Sequence, residues 1–235
     1  MSEAVLYLFP TPIADIEINQ CLPEENQKLL QECDSFVVEQ VRTARRFLRK
    51  AGYTKDFAEV EFYELNEHTD LKEIDSYLTP LRQGKNLGLM SEAGLPCVAD
   101  PGAALVKLAQ KEGFKVCPLI GPSSLMMSLM ASGFNGQNFA FVGYLPIDNS
   151  QRIKKIKELE SLCYKISQTQ IFIEAPYRNN QMLQVLKEVL SQNTMLCLGV
   201  DIGLSSQQII SKSIQQWKKT TIDLNKRNTV FLIYK

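Results

Sequence analysis

Ten short apolar runs punctuate the chain, around residues 4–9, 35–39, 58–63, 86–91, 114–120, 139–145, 169–174, 195–202, 207–212 and 228–234, and their length marks them as strands. Between the earlier runs the apolar spacing becomes that of amphipathic helices. Val41, Ala44, Leu48 and Ala51 share one face of such a helix, and Arg42, Arg45, Arg46 and Arg49 make a basic stripe on the opposite face. Strands that alternate with helices predict parallel βαβ construction. From Met195 onward the runs crowd together with one short helical stretch, Ser213 to Thr220, which predicts an antiparallel or mixed edge. The stretch after Ser123 is apolar nearly all round, so Leu125, Met126, Met127, Leu129 and Met130 are expected to fill core.

Two loops between these runs have an unusual composition. Ser91-Glu92-Ala93-Gly94-Leu95-Pro96 and Asp100-Pro101-Gly102 follow the fourth run, and Leu119-Ile120-Gly121-Pro122-Ser123-Ser124 follows the fifth. Asp100 reads as an N-cap and Pro101 as a first-turn proline for a helix over Ala103 to Glu112, closed by Gly113. Ser123 reads as the cap of a helix that ends at Gly133. In an open α/β sheet, ligands bind beyond the carboxyl ends of the strands, where loop backbone and helix amino termini converge. The pair of loops therefore predicts a small-molecule site.

Composition narrows the classes. The chain has 235 residues, 45% of them hydrophobic, enough for one large or two small packed domains. It shows neither a charged leader before an apolar segment nor a run of about 18 apolar residues, so neither secretion nor membrane insertion is expected. The six cysteines form no CxxC pair and read as reduced, buried thiols of a cytoplasmic protein. His68 is the only histidine, which leaves little material for a zinc site or a Ser/His/Asp triad, and no metal is expected. No GxxxxGK[ST] or GxGxxG phosphate loop is present. Gly199-Val200-Asp201-Ile202-Gly203 lacks the further glycines of a Rossmann methyltransferase turn.

Five separated motifs then agree in order along the chain. Leu6-Tyr7-Leu8-Phe9-Pro10-Thr11-Pro12-Ile13, the stretch from Ser91 to Gly102, Pro118 to Ser124, Gly143-Tyr144-Leu145-Pro146 and Glu174-Ala175-Pro176-Tyr177-Arg178 resemble the tetrapyrrole methylase superfamily. Within it they are most similar to the ribosomal RNA small subunit methyltransferase I branch, which methylates a ribose 2′-hydroxyl. The resemblance implies two α/β domains, 1–120 with a mainly parallel sheet and 121–235 with a mixed sheet, and a cofactor cleft between them. It also implies S-adenosylmethionine as cofactor, a homodimer, and ribosomal RNA as partner and methyl acceptor.

The same resemblance implies a set of site residues. Cofactor contacts fall on Pro12, on Glu92, Ala93, Gly94, Leu95 and Val98, on Ser123 and Ser124, and on Glu174, Ala175 and Pro176. Glu92 stands where the family usually has Asp. On the acceptor side, the family's Glu-Asp-Thr-Arg reads Glu39-Gln40-Val41-Arg42 here, and its His-Asn-Glu reads Leu65-Asn66-Glu67, so Glu39, Arg42, Asn66 and Glu67 are the catalytic candidates. The resemblance also implies a further carboxyl-terminal segment, which this protein is expected to lack. Three altered polar positions keep two other readings open, a methylase of a tetrapyrrole-like small molecule and a member that binds cofactor without turnover. The basic stripe can track phosphates, but 26 basic side chains against 26 acidic ones also suit a solvated helix face, as do Lys154, Lys155 and Lys157 after Arg152.

Overall fold

The computed structural model describes residues 4–66, 68–70 and 72–235, which form two compact units, Met1–Ser123 and Ser124–Lys235. In the first unit, β1 (Val5–Phe9), α1 (Glu24–Leu30), β2 (Ser35–Val38), α2 (Val41–Lys50), β3 (Glu61–Glu64), α3 (Thr79–Arg82), β4 (Leu87–Met90), α4 (Ala103–Lys111) and β5 (Lys115–Pro118) follow one another. The five strands make one sheet in the order β3-β2-β4-β1-β5, every pairing parallel. The connections from β1 and β2 run toward one edge, whereas those from β3 and β4 run the other way, so right-handed crossovers place their helices on opposite faces. Two cores record this. Phe9, Phe36, Val38 and Met90 pack with Leu30 of α1 and Leu48 of α2, and Leu6, Val37, Leu87 and Leu89 pack with Leu78, Leu81, Leu105 and Ala109.

In the second unit, α5 (Ser124–Ser132), β6 (Phe139–Tyr144), α6 (Asn149–Ile166), β7 (Thr169–Ile173), α7 (Asn179–Val189), β8 (Met195–Val200), β9 (Gln208–Ser213), α8 (Ile214–Trp217) and β10 (Thr229–Tyr234) build a sheet in the order β6-β7-β10-β8-β9. β6 and β7 are parallel; β10 runs antiparallel to both β7 and β8, and β9 antiparallel to β8. Two-residue alternation sends Phe231 and Ile233 to the face covered by α6, α7 and Trp217, and Val230 and Leu232 to the face covered by α5. The Trp217 indole N–H donates to the Leu196 carbonyl at 2.8 Å, which satisfies its one polar atom inside that core. The mixed α/β class and the parallel first sheet therefore stand as expected.

Four local expectations change. The third strand begins at Glu61, because Tyr53 and Val60 go into the core as parts of the preceding turn. Asp100 caps the turn ahead of α4 and not the helix itself: its carboxylate accepts from Cys97 N at 2.8 Å and Gly102 N at 2.7 Å, and the helix starts only at Ala103. The α5 methionines do not fill core. Met126, Met127 and Met130 are exposed, Met130 by 83%, while Leu129 is buried together with Ser128 and Ser132. One sheet face can bury only one side of a helix, and the side chosen is the one whose small residues permit close approach. A Cβ on Gly199 of β8 would lie 2.1 Å from Ser128 Oγ. Of the cysteines, Cys33, Cys163 and Cys197 are buried while Cys21, Cys97 and Cys117 are partly exposed; all six are free thiols.

Candidate functional site

All five strands of the first unit deliver expected site residues at their carboxyl ends. In spatial order these are Asn66 after β3, Glu39 after β2, Glu92 after β4, Pro12 after β1 and Ser123 after β5. Chain connections diverge between β2 and β4, and a crevice opens at such a point. A small hollow lies there, lined by Thr11, Val38, Glu39, Thr43, Ala44, Phe47, Met90, Ser91 and Glu92. Glu67 lies outside the described residues.

The loops around the hollow are stitched together through backbone. Thr11 and Gly94 exchange two hydrogen bonds, N–H to carbonyl at 2.9 and 3.1 Å, and the Thr11 hydroxyl donates to the Ser91 carbonyl at 3.2 Å. Gly94 holds φ at +81°, a conformation that glycine takes without strain. Gly121 is needed for a different reason, since a Cβ there would meet Pro10 Cβ at 2.1 Å. The loop after β1 is thereby pressed against both the loop after β4 and the loop after β5. Cys97 and Ala99 also sit in the left-handed region, and the two amide bonds to Asp100 stabilise that bent course.

Three carboxylates face this region. Glu39 Oε1 accepts from Glu92 N at 3.0 Å, and Thr43 Oγ1 donates to Glu92 Oε1, which ties α2 to the first loop. Burial pushes the Glu39 carboxyl above the ordinary glutamate range; the amide of Glu92 pulls it back, and the charges of Asp100 and Glu92 push it further up. Burial likewise raises Asp100, against the pull of its two amide donors. Arg42 is exposed at the first turn of α2. Asn66 is engaged in a turn, where its Oδ1 accepts from His68 N at 3.0 Å and its N–H donates to the Thr69 hydroxyl at 3.0 Å. Thr11 and Thr43 escaped the sequence reading. Thr11 lies inside the conspicuous Pro10-Thr11-Pro12 motif, and Thr43 lies just beyond the altered one.

The remaining residues belong to the second unit. Glu174 follows β7 and its side chain is 1% exposed. One oxygen accepts from Ala175 N at 2.7 Å and from Arg178 Nη2 at 2.7 Å, while Oε2 is buried without a partner. Asn179 opens α7, donates to the Arg227 carbonyl at 2.6 Å and keeps a buried, unpaired Oδ1. Two buried acceptors at one strand end suit a ligand that brings N–H or O–H donors. Arg178 and Asn179 were not singled out from the sequence. Asp201, in the Gly199-Val200-Asp201-Ile202-Gly203 segment, is taken up by Arg227 at 2.7 Å.

No protein-family model matches the chain. Curated relatives do. The ribosomal RNA small subunit methyltransferase I of Vibrio cholerae is 34% identical over 207 residues, covering 87% of this chain and 67% of that protein. The chain belongs to the ribosomal RNA small subunit methyltransferase I family. The Bacillus subtilis member is 36% identical over 186 residues, and the chain spans 60% of its length. The Escherichia coli O157:H7 member is 27% identical over 236 residues, 78% of that protein. Among solved structures, the methyltransferase CobJ superposes with a TM-score of 0.64 at 16% identity, covering 100% of this chain and 95% of that one. Cobalt precorrin-4 methyltransferase CbiF does so with 0.61 at 13% identity, covering 99% and 95%. At those identities the likeness is one of fold, the two-unit fold of the tetrapyrrole methylases.

Against the family's motifs, the altered positions acquire definite surroundings. Leu65 is 2% exposed and packs in the core of the first unit, its amide donating to Val38 O at 2.8 Å. Gln40 is the N-cap residue of α2 and makes no side-chain cap bond. Instead Glu64 Oε1 accepts from Val41 N at 3.3 Å. Thus the position of the family's histidine is a core leucine in this chain, while Glu39 lines the hollow and Arg42 is exposed at the first turn of α2.

Proposed function

We propose that the chain is an S-adenosylmethionine-dependent methyltransferase acting on a ribose hydroxyl of ribosomal RNA. The observation that carries this reading is the convergence, at the carboxyl ends of one parallel sheet, of a backbone-stitched loop set with a partly buried glutamate. The surroundings suit the cofactor: Gly94 and Gly121 let the loops after β1, β4 and β5 close on one another, Leu95, Val98 and Ile13 offer apolar surface, and these loops carry no phosphate-binding motif. Pro12, Glu92, Ala93, Gly94, Leu95, Val98 and Ser123 would hold it from the first unit. In the second unit, taken by itself, Ser124, Glu174, Ala175 and Pro176 are the residues proposed to contact the cofactor, and Glu174 Oε2 is a buried acceptor without a partner there. When bound, the cofactor supplies an electrophilic methyl group on a sulfonium.

Glu39 takes the proton of the attacking hydroxyl. A carboxylate raised by burial is a better base than a free one. Arg42, in the first turn of α2, holds an RNA phosphate beside it, and the Glu92 amide and Thr43 hydroxyl keep this arrangement in register. Asn66 and Glu67 complete the acceptor side. The enzyme acts in the cytoplasm as a homodimer; sedimentation at micromolar concentration tests the latter. Among the described residues no helix is long and apolar enough to cross a membrane, and no cluster of metal-binding side chains occurs.

Isothermal calorimetry with S-adenosylmethionine and its demethylated product tests the cofactor assignment. Binding should be measurable for the natural protein and lost when Ser123 and Ser124 are both replaced by Trp. Unchanged affinity in the double variant would remove the second loop from the site.

A further inference from the structure

The structure divides the four arginines of α2 into two pairs that the sequence treats as one stripe. Arg45 lies over the rings of Phe57 and Phe62, 5.4 and 5.1 Å from their centroids, and Arg49 lies 4.0 Å over Phe57 while donating to the Tyr53 carbonyl at 2.7 Å. Both are laid down on aromatic faces and held there. Arg42 and Arg46, one turn apart, are exposed, and neither stacks on a ring or pairs with a carboxylate among the described residues. α2 contains no acidic residue, and Lys50, which pairs with Asp15 at 2.9 Å, is its only neutralised cation. A chain of zero formal net charge thus concentrates four unneutralised cations on one helix face, and that helix begins two residues beyond Glu39.

We infer that this face of α2 is the docking surface for the RNA phosphate backbone, with Arg42 and Arg46 making the phosphate contacts and Arg45 and Arg49 serving as its fixed base. The inference rests on the methyltransferase reading for the identity of the polyanion and adds where it is gripped. Charge complementarity selects the occupant. Unpaired guanidinium groups that repel one another on one face are stabilised by closely spaced phosphates, whose bound counterions are released on contact. Stacking on Phe57 and Phe62 fixes two of the four charges before binding, which lowers the ordering cost of the complex.

Fluorescence anisotropy with a labelled transcript of small-subunit ribosomal RNA, titrated at several salt concentrations, tests this. Arg42→Gln with Arg46→Gln should weaken binding at low salt and reduce the slope of log K against log salt by about 1 per arginine. Melting temperature and S-adenosylmethionine affinity should not change. Arg45→Gln with Arg49→Gln should reduce the slope and also lower the melting temperature, because the rings of Phe57 and Phe62 lose their cover. An unchanged affinity and slope in the Arg42/Arg46 variant overturns the inference, and so would a slope that falls equally when Lys154 and Lys157 on α6 are replaced. Methyl transfer by the natural protein, measured on the same RNA, reports on the functional reading separately. Binding through α2 without transfer would leave the docking surface standing and remove the enzyme.

Discussion

In the proposed methyl transfer Glu39 is the residue on which the chemistry would turn, and its surroundings make a pH prediction with a definite sign. Burial and the charges of Asp100 and Glu92 raise its carboxyl, so the acid limb of kcat/KM should lie above the ordinary glutamate value of about 4.3, and activity should be lost as pH falls through it. Glu39→Gln should remove that limb and lower kcat by roughly 10²–10⁴-fold while cofactor affinity holds. A profile with an acid limb at the ordinary value, or a variant of full activity, would assign Glu39 only to holding the Glu92 amide. For stability the sign is opposite. The folded state holds this proton more tightly than the unfolded chain, so Glu39 and Asp100 make the fold less stable as pH rises from the unfolded value toward their raised folded values. At the altered motif, Gln40→Asp should stabilise α2 by about 1 kcal/mol as a new N-cap. Leu65→His should destabilise by roughly 2 kcal/mol or more, since a polar ring would enter the core of the first unit. Urea denaturation of the two single variants separates these effects. If Leu65→His folds as well as the natural chain and gains methyl transfer, the position is an eroded catalytic one.

Elements were legible in the sequence wherever one rule dominated. Short apolar runs bounded by Gly and Pro became strands, and the 3.6-residue spacing of Val41, Ala44 and Leu48 became α2 with that face inward. The helix after Ser123 was legible in extent but not in orientation, because uniform apolarity carries no direction: what orients α5 is Gly199 on a strand far along the chain, and only the fold brings Ser128 against it. The same holds for the carboxylate contacts. Thr43 and Glu92 are 49 residues apart, and no local pattern signals their hydrogen bond. The motif residues of the first unit do fall at the strand ends, but the motifs were silent on the residues that brace those loops. The α5 packing itself is testable. Gly199→Ala should cost roughly 1–3 kcal/mol by forcing α5 off β8. Ser128→Ala should be neutral or stabilising by up to about 1 kcal/mol, because it removes a buried hydroxyl that has no partner. Thermal unfolding that ranks the two variants the other way would show that α5 packs differently.

Across the whole molecule, the two units use their sheets differently. The first is all parallel, with its strand ends and loops gathered at one edge around Glu39, and α2 leads away from that edge with its arginines outward. The second is mixed, and it offers buried, unpaired acceptors at Glu174 and Asn179 beside the start of α7. Such a division suits an enzyme that must hold a small cofactor by close backbone contact and a large polyanion by surface charge. The central claim is methyl transfer to a ribosomal RNA ribose, and its most direct test is mass spectrometry of small-subunit ribosomal RNA after incubation with the protein and S-adenosylmethionine. The account predicts one added methyl group on the sugar of a defined nucleotide, absent without the cofactor and absent with Glu39→Gln. Cofactor binding with no methyl gain in the RNA, alone or assembled in the subunit, would contradict it.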